Sequence, residues 1–259
     1  MYGERPSRLG GGAVLWSRTG SAGTGSGAGG TRVLPDGCMD LIWYDAAPGG
    51  GDGGFLVAGP DTRAHLTPVF AGTRLTGLRF APGTGPAVFG IPAHELRDQR
   101  VPLDALWPGR EVRRLAERVA EAADTGVALE AAAGPRAPAD PLSRLVPEAL
   151  RRGRSVADVA AAAGLSERQL HRRALDVFGY GPKTLARVLR MRHALRLARE
   201  GQSFASVAAT AGYADQAHLS REIKSLAGVP LTRLIARAPG RAEPPTPARA
   251  RDVRARPAA

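Results

Sequence analysis

The stretch Ser155-Val-Ala-Asp-Val-Ala160-Ala-Ala-Ala-Gly164-Leu-Ser166-Glu-Arg-Gln-Leu170-His-Arg172 decides how this chain is read, because its pattern occurs twice. Ala160-x-x-x-Gly164-Leu165 returns as Ala208-x-x-x-Gly212-Tyr213, 48 residues on. Leu170-x-Arg172 returns as Leu219-x-Arg221 at an offset of 49, and Pro182 returns as Pro230 at 48 again. Self-similarity at a fixed period marks a duplicated structural unit. The slip of one residue implies a turn one residue longer in the second copy, made up again before the proline.

The spacing has a physical reason. When one short helix packs tightly across another, its inward face needs a small residue, and Ala160 and Ala208 supply it. A tight turn follows, where glycine takes a positive φ at little steric cost; Gly164 and Gly212 stand there. Leu165 and Tyr213 anchor the turn, Ser166 has the hydroxyl of a helix N-cap, and Leu170 and Leu219 face inward on the second helices. Each copy therefore reads as a helix-turn-helix. A plain helical bundle with a duplicated hairpin would show the same repeat, so charge is the discriminating feature. Of the net charge of +12, Met1–Leu150 carries −1 (15 Arg, 16 Asp+Glu) and Arg151–Ala259 carries +13 (21 Lys+Arg, 8 Asp+Glu). Lys183 and Lys224 are the only lysines. A genome-wide arginine bias would account for that, but not for acids being scarce in one half only. A segregated basic block points to a polyanionic partner.

The rest of the chain sorts by pattern. From Val14 to about Leu106, short apolar runs such as Leu41-Ile-Trp-Tyr44 and Leu75-Thr-Gly-Leu-Arg-Phe80 alternate with turn clusters such as Pro35-Asp-Gly37 and Pro48-Gly-Gly-Gly51. That is the pattern of a β-rich small barrel or sandwich. Around Glu111 the period changes, with Val112, Leu115, Ala116 and Val119 on one helical face. Gly134–Pro141 reads as a linker, Leu142 to about Ala236 as helical, and the Pro/Ala/Arg tail from Pro239 as disordered. The expected fold is α+β and multidomain. Residues 1–108 form a β-rich, cupin-like sensing or dimerisation domain, 109–144 a helix plus linker, 145–237 an all-α double helix-turn-helix domain and 238–259 a basic tail.

These residues resemble the AraC/XylS family of transcription regulators over about Ser155–Ile235. The likeness rests on Ser155-Val-Ala-Asp-Val-Ala160, Gly164-Leu-Ser166, Phe178-Gly-Tyr-Gly-Pro182, the helix Pro182–Arg199, and Gly212-Tyr-Ala-Asp-Gln-Ala-His-Leu-Ser-Arg221. It implies two helix-turn-helix units joined by one long helix, each placing its second helix in the major groove, about 34 Å apart. The chain departs from the family at Ala174, where a large aromatic is usual, at Arg173, where an apolar residue is usual, and in the short Gly228-Val-Pro230. Carried over position by position, the DNA-binding candidates are Arg168, His171 and Arg172 in the first unit, and Gln216, Ala217, His218, Ser220 and Arg221 in the second. Arg suits guanine O6 and N7, Gln suits adenine, and Ala217 suits a thymine methyl. Arg187, Arg190, Arg192, Arg196 and Arg199 on the linker helix read as general phosphate attraction.

Leu34-Pro-Asp-Gly-Cys-Met-Asp-Leu-Ile42, Gly59-Pro-Asp61 and Gly77-Leu-Arg-Phe-Ala-Pro-Gly83 resemble a β-rich N-terminal domain of a subgroup of that family. The resemblance implies a cupin-like domain with a pocket for a small-molecule effector or a homodimer contact. Asp40, Trp43, Tyr44, Arg79 and Phe80, with Trp16, are the candidate lining residues. Gly25-x-Gly27-x-x-Gly30 mimics a dinucleotide loop but lacks the following helix and the acidic partner, so it reads as a plain loop. His65 and His94 stand alone and Cys38 is the sole cysteine, so neither a metal site, a disulfide nor any other cofactor is expected. No Ser/His/Asp set suggests catalysis. The expectation is a cytoplasmic, nucleoid-associated, non-enzymatic regulator, with double-stranded DNA as partner and no membrane span. The alternatives are a cupin-type enzyme with a DNA-binding appendage and a nonspecific nucleoid protein.

Overall fold

Strand alternation organises the first half of the molecule. The computed structural model describes residues 2–20, 31–45, 53–67, 73–134 and 137–236. Its strands are β1 (Tyr2–Pro6), β2 (Val14–Thr19), β3 (Thr31–Val33), β4 (Met39–Tyr44), β5 (Gly54–Ala58), β6 (His65–Thr67), β7 (Arg74–Phe80) and β8 (Arg100–Pro102). Six of them form one antiparallel sheet in the order β1-β2-β7-β4-β5-β8, and β3 pairs with β6 as a separate ribbon. The two edge strands, β1 and β8, each end in a proline, which has no N–H to offer a further strand. The β-rich part is thus an open sheet faced by a ribbon.

Register fixes what each face of the sheet carries. Tyr2, Arg18, Leu75 and Tyr44 lie in one row across β1, β2, β7 and β4. Trp16, Gly77, Ile42 and Leu56 form the next row, and Arg79, Asp40, Ala58 and Arg100 the one after. Successive side chains point to opposite faces, so these rows share one face. A Cβ on Gly77 would come within 2.2 Å of the Trp16 indole, so the glycine provides the room that ring occupies. The other face carries Leu15, Leu41, Trp43, Phe55, Val57, Leu78 and Phe80, all in one buried core. The helix α1 (Gly85–Phe89) adds Val88 and Phe89 to it.

Two more helices cover that core. In α2 (Gly109–Glu121) the apolar stripe seen in the sequence buries Leu115 and Val119. A further helix, α3 (Thr125–Ala132), is N-capped by Asp124, whose Oδ1 accepts from Gly126 N at 2.8 Å, and it buries Leu129. Glu130 on α3 is 4% exposed. It accepts from Arg5 Nη1 and Nη2 at 2.9 Å each and from Arg8 N at 2.8 Å, tying the edge strand β1 to α3.

Everything after this is helical: α4 (Leu142–Arg151), α5 (Val156–Ala162), α6 (Glu167–Phe178), α7 (Pro182–Arg199), α8 (Phe204–Ala211), α9 (Gln216–Ala227) and α10 (Leu231–Ile235). They enclose two cores. Leu142, Val146, Val159, Leu170, Ala174 and Phe178 pack with Leu185 and Leu189 of α7 in the first. Val207, Leu219, Ile223 and Leu226 pack with Met191 and Leu195 of the same helix in the second. Ala174, where a large aromatic was expected, is completely buried, and the fully buried Phe178 one turn later fills that core. Among the described residues no helix is long and apolar enough to cross a membrane. The Gly25–Gly30 stretch and the tail from Pro239 lie outside the described residues.

The Arg5 side chain in first place, then the Arg8 amide, hold the Glu130 carboxyl at about 2, below its ordinary 4.5. A carboxyl depressed in the folded state stabilises the protein above its unfolded value, and that contribution fades as pH falls from 4.5 toward 2. In acid titrations followed by near-UV circular dichroism, Glu130→Gln is expected to lose less stability than wild type across this window. Equal losses would show that the clamp contributes nothing.

Candidate nucleic-acid interface

Capping chemistry builds the two helix-turn-helix units. In the first, Ser155 caps α5 in a reciprocal box with Asp158. The turn passes through Gly164 at φ +66°, and Ser166 caps α6, its Oγ accepting from Gln169 N at 3.2 Å while Gln169 Oε1 accepts from Ser166 N at 2.9 Å. In the second, Ser203 caps α8, Gly212 turns at φ +78°, and Asp215 caps α9 by accepting from His218 N at 2.6 Å. From glycine to cap is two residues in the first unit and three in the second, which locates the one-residue slip of the repeat.

Both second helices present polar outer faces. Arg168, His171 and Arg172 are exposed on α6, and Gln216, Ala217, Ser220 and Arg221 on α9. His171 lies at the edge of its face, against the start of α7: a Cβ on Gly181 would come within 2.5 Å of the imidazole. His218 is half-exposed and makes contacts within its own turn and helix. Its Nδ1 accepts from Ala214 N at 3.3 Å, its ring meets Tyr213 edge-on with centroids 5.3 Å apart, and its Nε2 lies 3.8 Å from Glu222.

The linker-helix arginines are engaged within the protein. Arg187 and Arg190 pair with Glu222 at 3.3 and 2.8 Å, and Arg196 pairs with Glu200 at 2.7 Å. Arg190 also lies 4.8 Å over the Tyr213 ring. Burial, then Glu222, pushes the Tyr213 hydroxyl up to about 12. Arg173, unusual at its position, pairs with Asp140 at 2.7 Å.

The β-rich part docks behind both of these helices, at their carboxyl ends. Around α6, His94 Nδ1 lies 3.2 Å from Asp176, Arg97 Nη1 donates to Gly179 O at 3.5 Å, and Pro60 and Ala93 close over Gly179. Around α9, Ala64 N donates to Leu226 O at 2.7 Å and Arg32 Nη1 to Ala227 O at 2.9 Å. Cations and N–H donors suit these carbonyl ends of helices.

Between the sheet, the β3–β6 ribbon and the helical part lies a cavity of about 950 Å³. Its floor is the sheet face of Trp16, Arg18, Asp40, Ile42, Tyr44, Leu56 and Arg79, its ribbon wall includes Arg32 and His65, and Arg199, Arg233 and Leu234 come from the helical part. Two of its arginines are satisfied internally. Arg79 sits 3.2 Å from Asp40 and 3.4 Å from Asp36, while Arg100 forms a two-pronged pair with Asp61 at 2.5 and 2.6 Å. Burial opposes charge on Arg79, but Asp40 and Asp36 hold its guanidinium well above the ordinary value. Asp40 Oδ1 also accepts from Trp16 Nε1 at 2.7 Å. Arg18 differs: no carboxylate meets it among the described residues, and burial alone pulls its guanidinium below the ordinary value. Trp43 and Phe80, expected to line this pocket, do not. They fall on the odd parity of β4 and the even parity of β7, which face the core, at 4% and 3% exposure.

Residues 159–237 match the family model described as "Helix-turn-helix domain", and residues 14–102 match "Domain of unknown function (DUF6597)". Residues 159–237 are thus a helix-turn-helix domain. Among solved structures, the chain is similar to a probable AraC family transcriptional regulator from Rhodopseudomonas palustris CGA009, at 22% identity over 36% of this chain and 94% of that one, with a TM-score of 0.33. It is similar to an AraC-type regulator from Chromobacterium violaceum at 22% identity over 36% and 91%, with a TM-score of 0.34. It is also similar to wild-type ToxT from Vibrio cholerae strain SCE256, in a structure with bound unsaturated fatty acid, at 10% identity over 93% and 97%, with a TM-score of 0.44. No curated protein matches the chain.

The helix-turn-helix domain thus meets the β-rich domain along the carboxyl ends of its second helices and across the cavity. The Asp36–Arg79–Asp40 network sits at the floor of that cavity. Removing one partner of a buried ion pair strands the other charge, at a cost of about 3–5 kcal/mol. Arg79→Met is expected to lower the urea midpoint of the β-rich domain by an equivalent amount. A loss of under about 1 kcal/mol, the usual value of a solvated pair, would mean that water reaches Asp36 and Asp40.

Proposed function

We propose that this protein is a sequence-specific, DNA-binding transcription regulator, cytoplasmic in location, whose α6 and α9 enter two adjacent major grooves of one duplex. The observation that carries the reading is the pair of N-capped helices with exposed polar faces in a duplicated frame. Arg168 and Arg172 take guanine edges in the first groove, with His171 beside them at the border of the face. Gln216 takes adenine in the second groove, Ala217 meets a thymine methyl, and Ser220 and Arg221 hold base or phosphate. His218 stands at the border of that face, held by its contacts to Ala214 and Tyr213.

A small ligand in the interdomain cavity modulates this binding. The apolar floor around Ile42, Leu56 and Trp16, together with the half-buried Arg18, suits an organic anion. The β-rich domain also serves as the surface for a homodimer.

Selection of random duplexes at physiological salt tests the DNA reading. Wild type is expected to enrich an asymmetric site, because the Arg/His face and the Gln/Ser face prefer different bases. Arg168→Ala and Gln216→Ala are each expected to relax one half of that site by about 1–3 kcal/mol. Failure of wild type to enrich any sequence would favour a nonspecific nucleoid protein, whose binding would fall steeply with salt. Thermal shift with small aromatic and aliphatic carboxylates tests the ligand: at least one is expected to raise the melting temperature of wild type but not of Arg18→Gln. Equal shifts in both proteins would place the ligand elsewhere.

A further inference from the structure

A charged clamp joins the second reading helix to the linker helix. Glu222 on α9 has a side chain only 10% exposed and takes two arginines from α7, Arg187 at 3.3 Å and Arg190 at 2.8 Å. On α9 the apolar side chains Leu219, Ile223 and Leu226 face the core, and Ala217, Ser220 and Arg221 face outward. Glu222 lies on the flank between these two faces, on the side that meets α7. A contact on the flank, off the line of the apolar seat, adds its own restraint on rotation about the helix axis.

The clamp reaches the turn as well. His218, one helical turn before Glu222, accepts from Ala214 N through Nδ1, so a neutral ring carries its hydrogen on Nε2, the atom 3.8 Å from Glu222. Arg190 lies over Tyr213, the residue that anchors the turn. Turn, reading helix and linker helix therefore share one carboxylate. The first unit has the same position 49 residues earlier, Arg173, which pairs with Asp140 ahead of α4. There the charge is reversed and the partner does not come from α7, so only the second reader is locked to the linker helix in this way.

We infer that Glu222 is a positioning residue that sets the rotation of α9, and with it the base preference of the second half-site, through Arg187 and Arg190. This rests on the reading of α9 as a DNA-recognition helix. The two arginines serve the clamp and are withheld from phosphate.

The test uses the full chain and the asymmetric site selected by wild type. Affinities are measured for the intact site, for duplexes with either half scrambled, and across a salt series. Glu222→Gln is expected to lose about tenfold of the discrimination against a scrambled second half-site while keeping that against a scrambled first half-site. It is also expected to steepen the salt dependence, because Arg187 and Arg190 become available to phosphate. A general loss of structure would lower both discriminations together and would not steepen the salt slope. Arg187→Gln removes a half-exposed side chain at the far end of the clamp, and guards against a folding defect in the first variant. It is expected to weaken second-half discrimination about threefold with no steepening. If both variants keep the wild-type preference at the second half-site, the clamp does not set specificity. If wild type selects no site at all, the reading of α9 fails instead.

Discussion

One helix holds the helical half together. α7 is 18 residues long, about 27 Å at 1.5 Å per residue, and apolar side chains leave it on every side. Leu185, Val188 and Leu189 are buried near its start, Met191, Ala194, Leu195, Leu197 and Ala198 along the rest. Neither half of the domain has a core without it. Because both cores close on one rod, the distance between α6 and α9 is not free to vary. The β-rich domain packs on the same rod, where a Cβ on Gly37 would lie 3.2 Å from Leu185.

That constraint explains which parts of the protein could be seen in the sequence. A duplicated unit leaves its frame in the spacing of its small, turn and inward residues, so Ala160 and Ala208, Gly164 and Gly212, and Leu170 and Leu219 were legible, and α7 spans the expected Pro182–Arg199. Patterns with one buried face were legible too, as in α2. The sheet was harder. In Met39-Asp-Leu-Ile-Trp-Tyr44 both parities are largely apolar, because one face packs on a core and the other floors a cavity. Alternation alone could not say which face was which, and Trp43 and Phe80 were set with the wrong neighbours. Strand β1 and helix α3 left no signal. Tyr2-Gly-Glu-Arg-Pro6 is an edge strand held by Arg5 and Glu130, and Thr125–Ala132 is too short and too rich in alanine to show a stripe.

The docking of the β-rich domain adds a second constraint. It touches α6 and α9 where their carbonyls end, through Arg97 and Arg32 among others, and leaves their capped amino ends clear. Arg32 belongs both to this contact and to the wall of the cavity. The cavity wall and the seat of α9 therefore share one side chain.

The same bookkeeping of partners changes what the net charge means. Counted as a sum, the half from Arg151 onward carries +13. Of the 21 cations behind that sum, at least five are paired among the described residues: Arg152 by Glu148, Arg173 by Asp140, Arg187 and Arg190 by Glu222, and Arg196 by Glu200. Asp158 completes the capping box of α5 and Asp215 caps α9. On the outer faces of α6 and α9 the position is different, since no carboxylate meets Arg168, Arg172 or Arg221 among the described residues. An arginine in an ion pair must break that pair to reach a phosphate or a base edge, whereas one facing only water gives up hydration alone. Arg168, Arg172 and Arg221 thus stand among the exposed cations of the helical half that no described carboxylate meets.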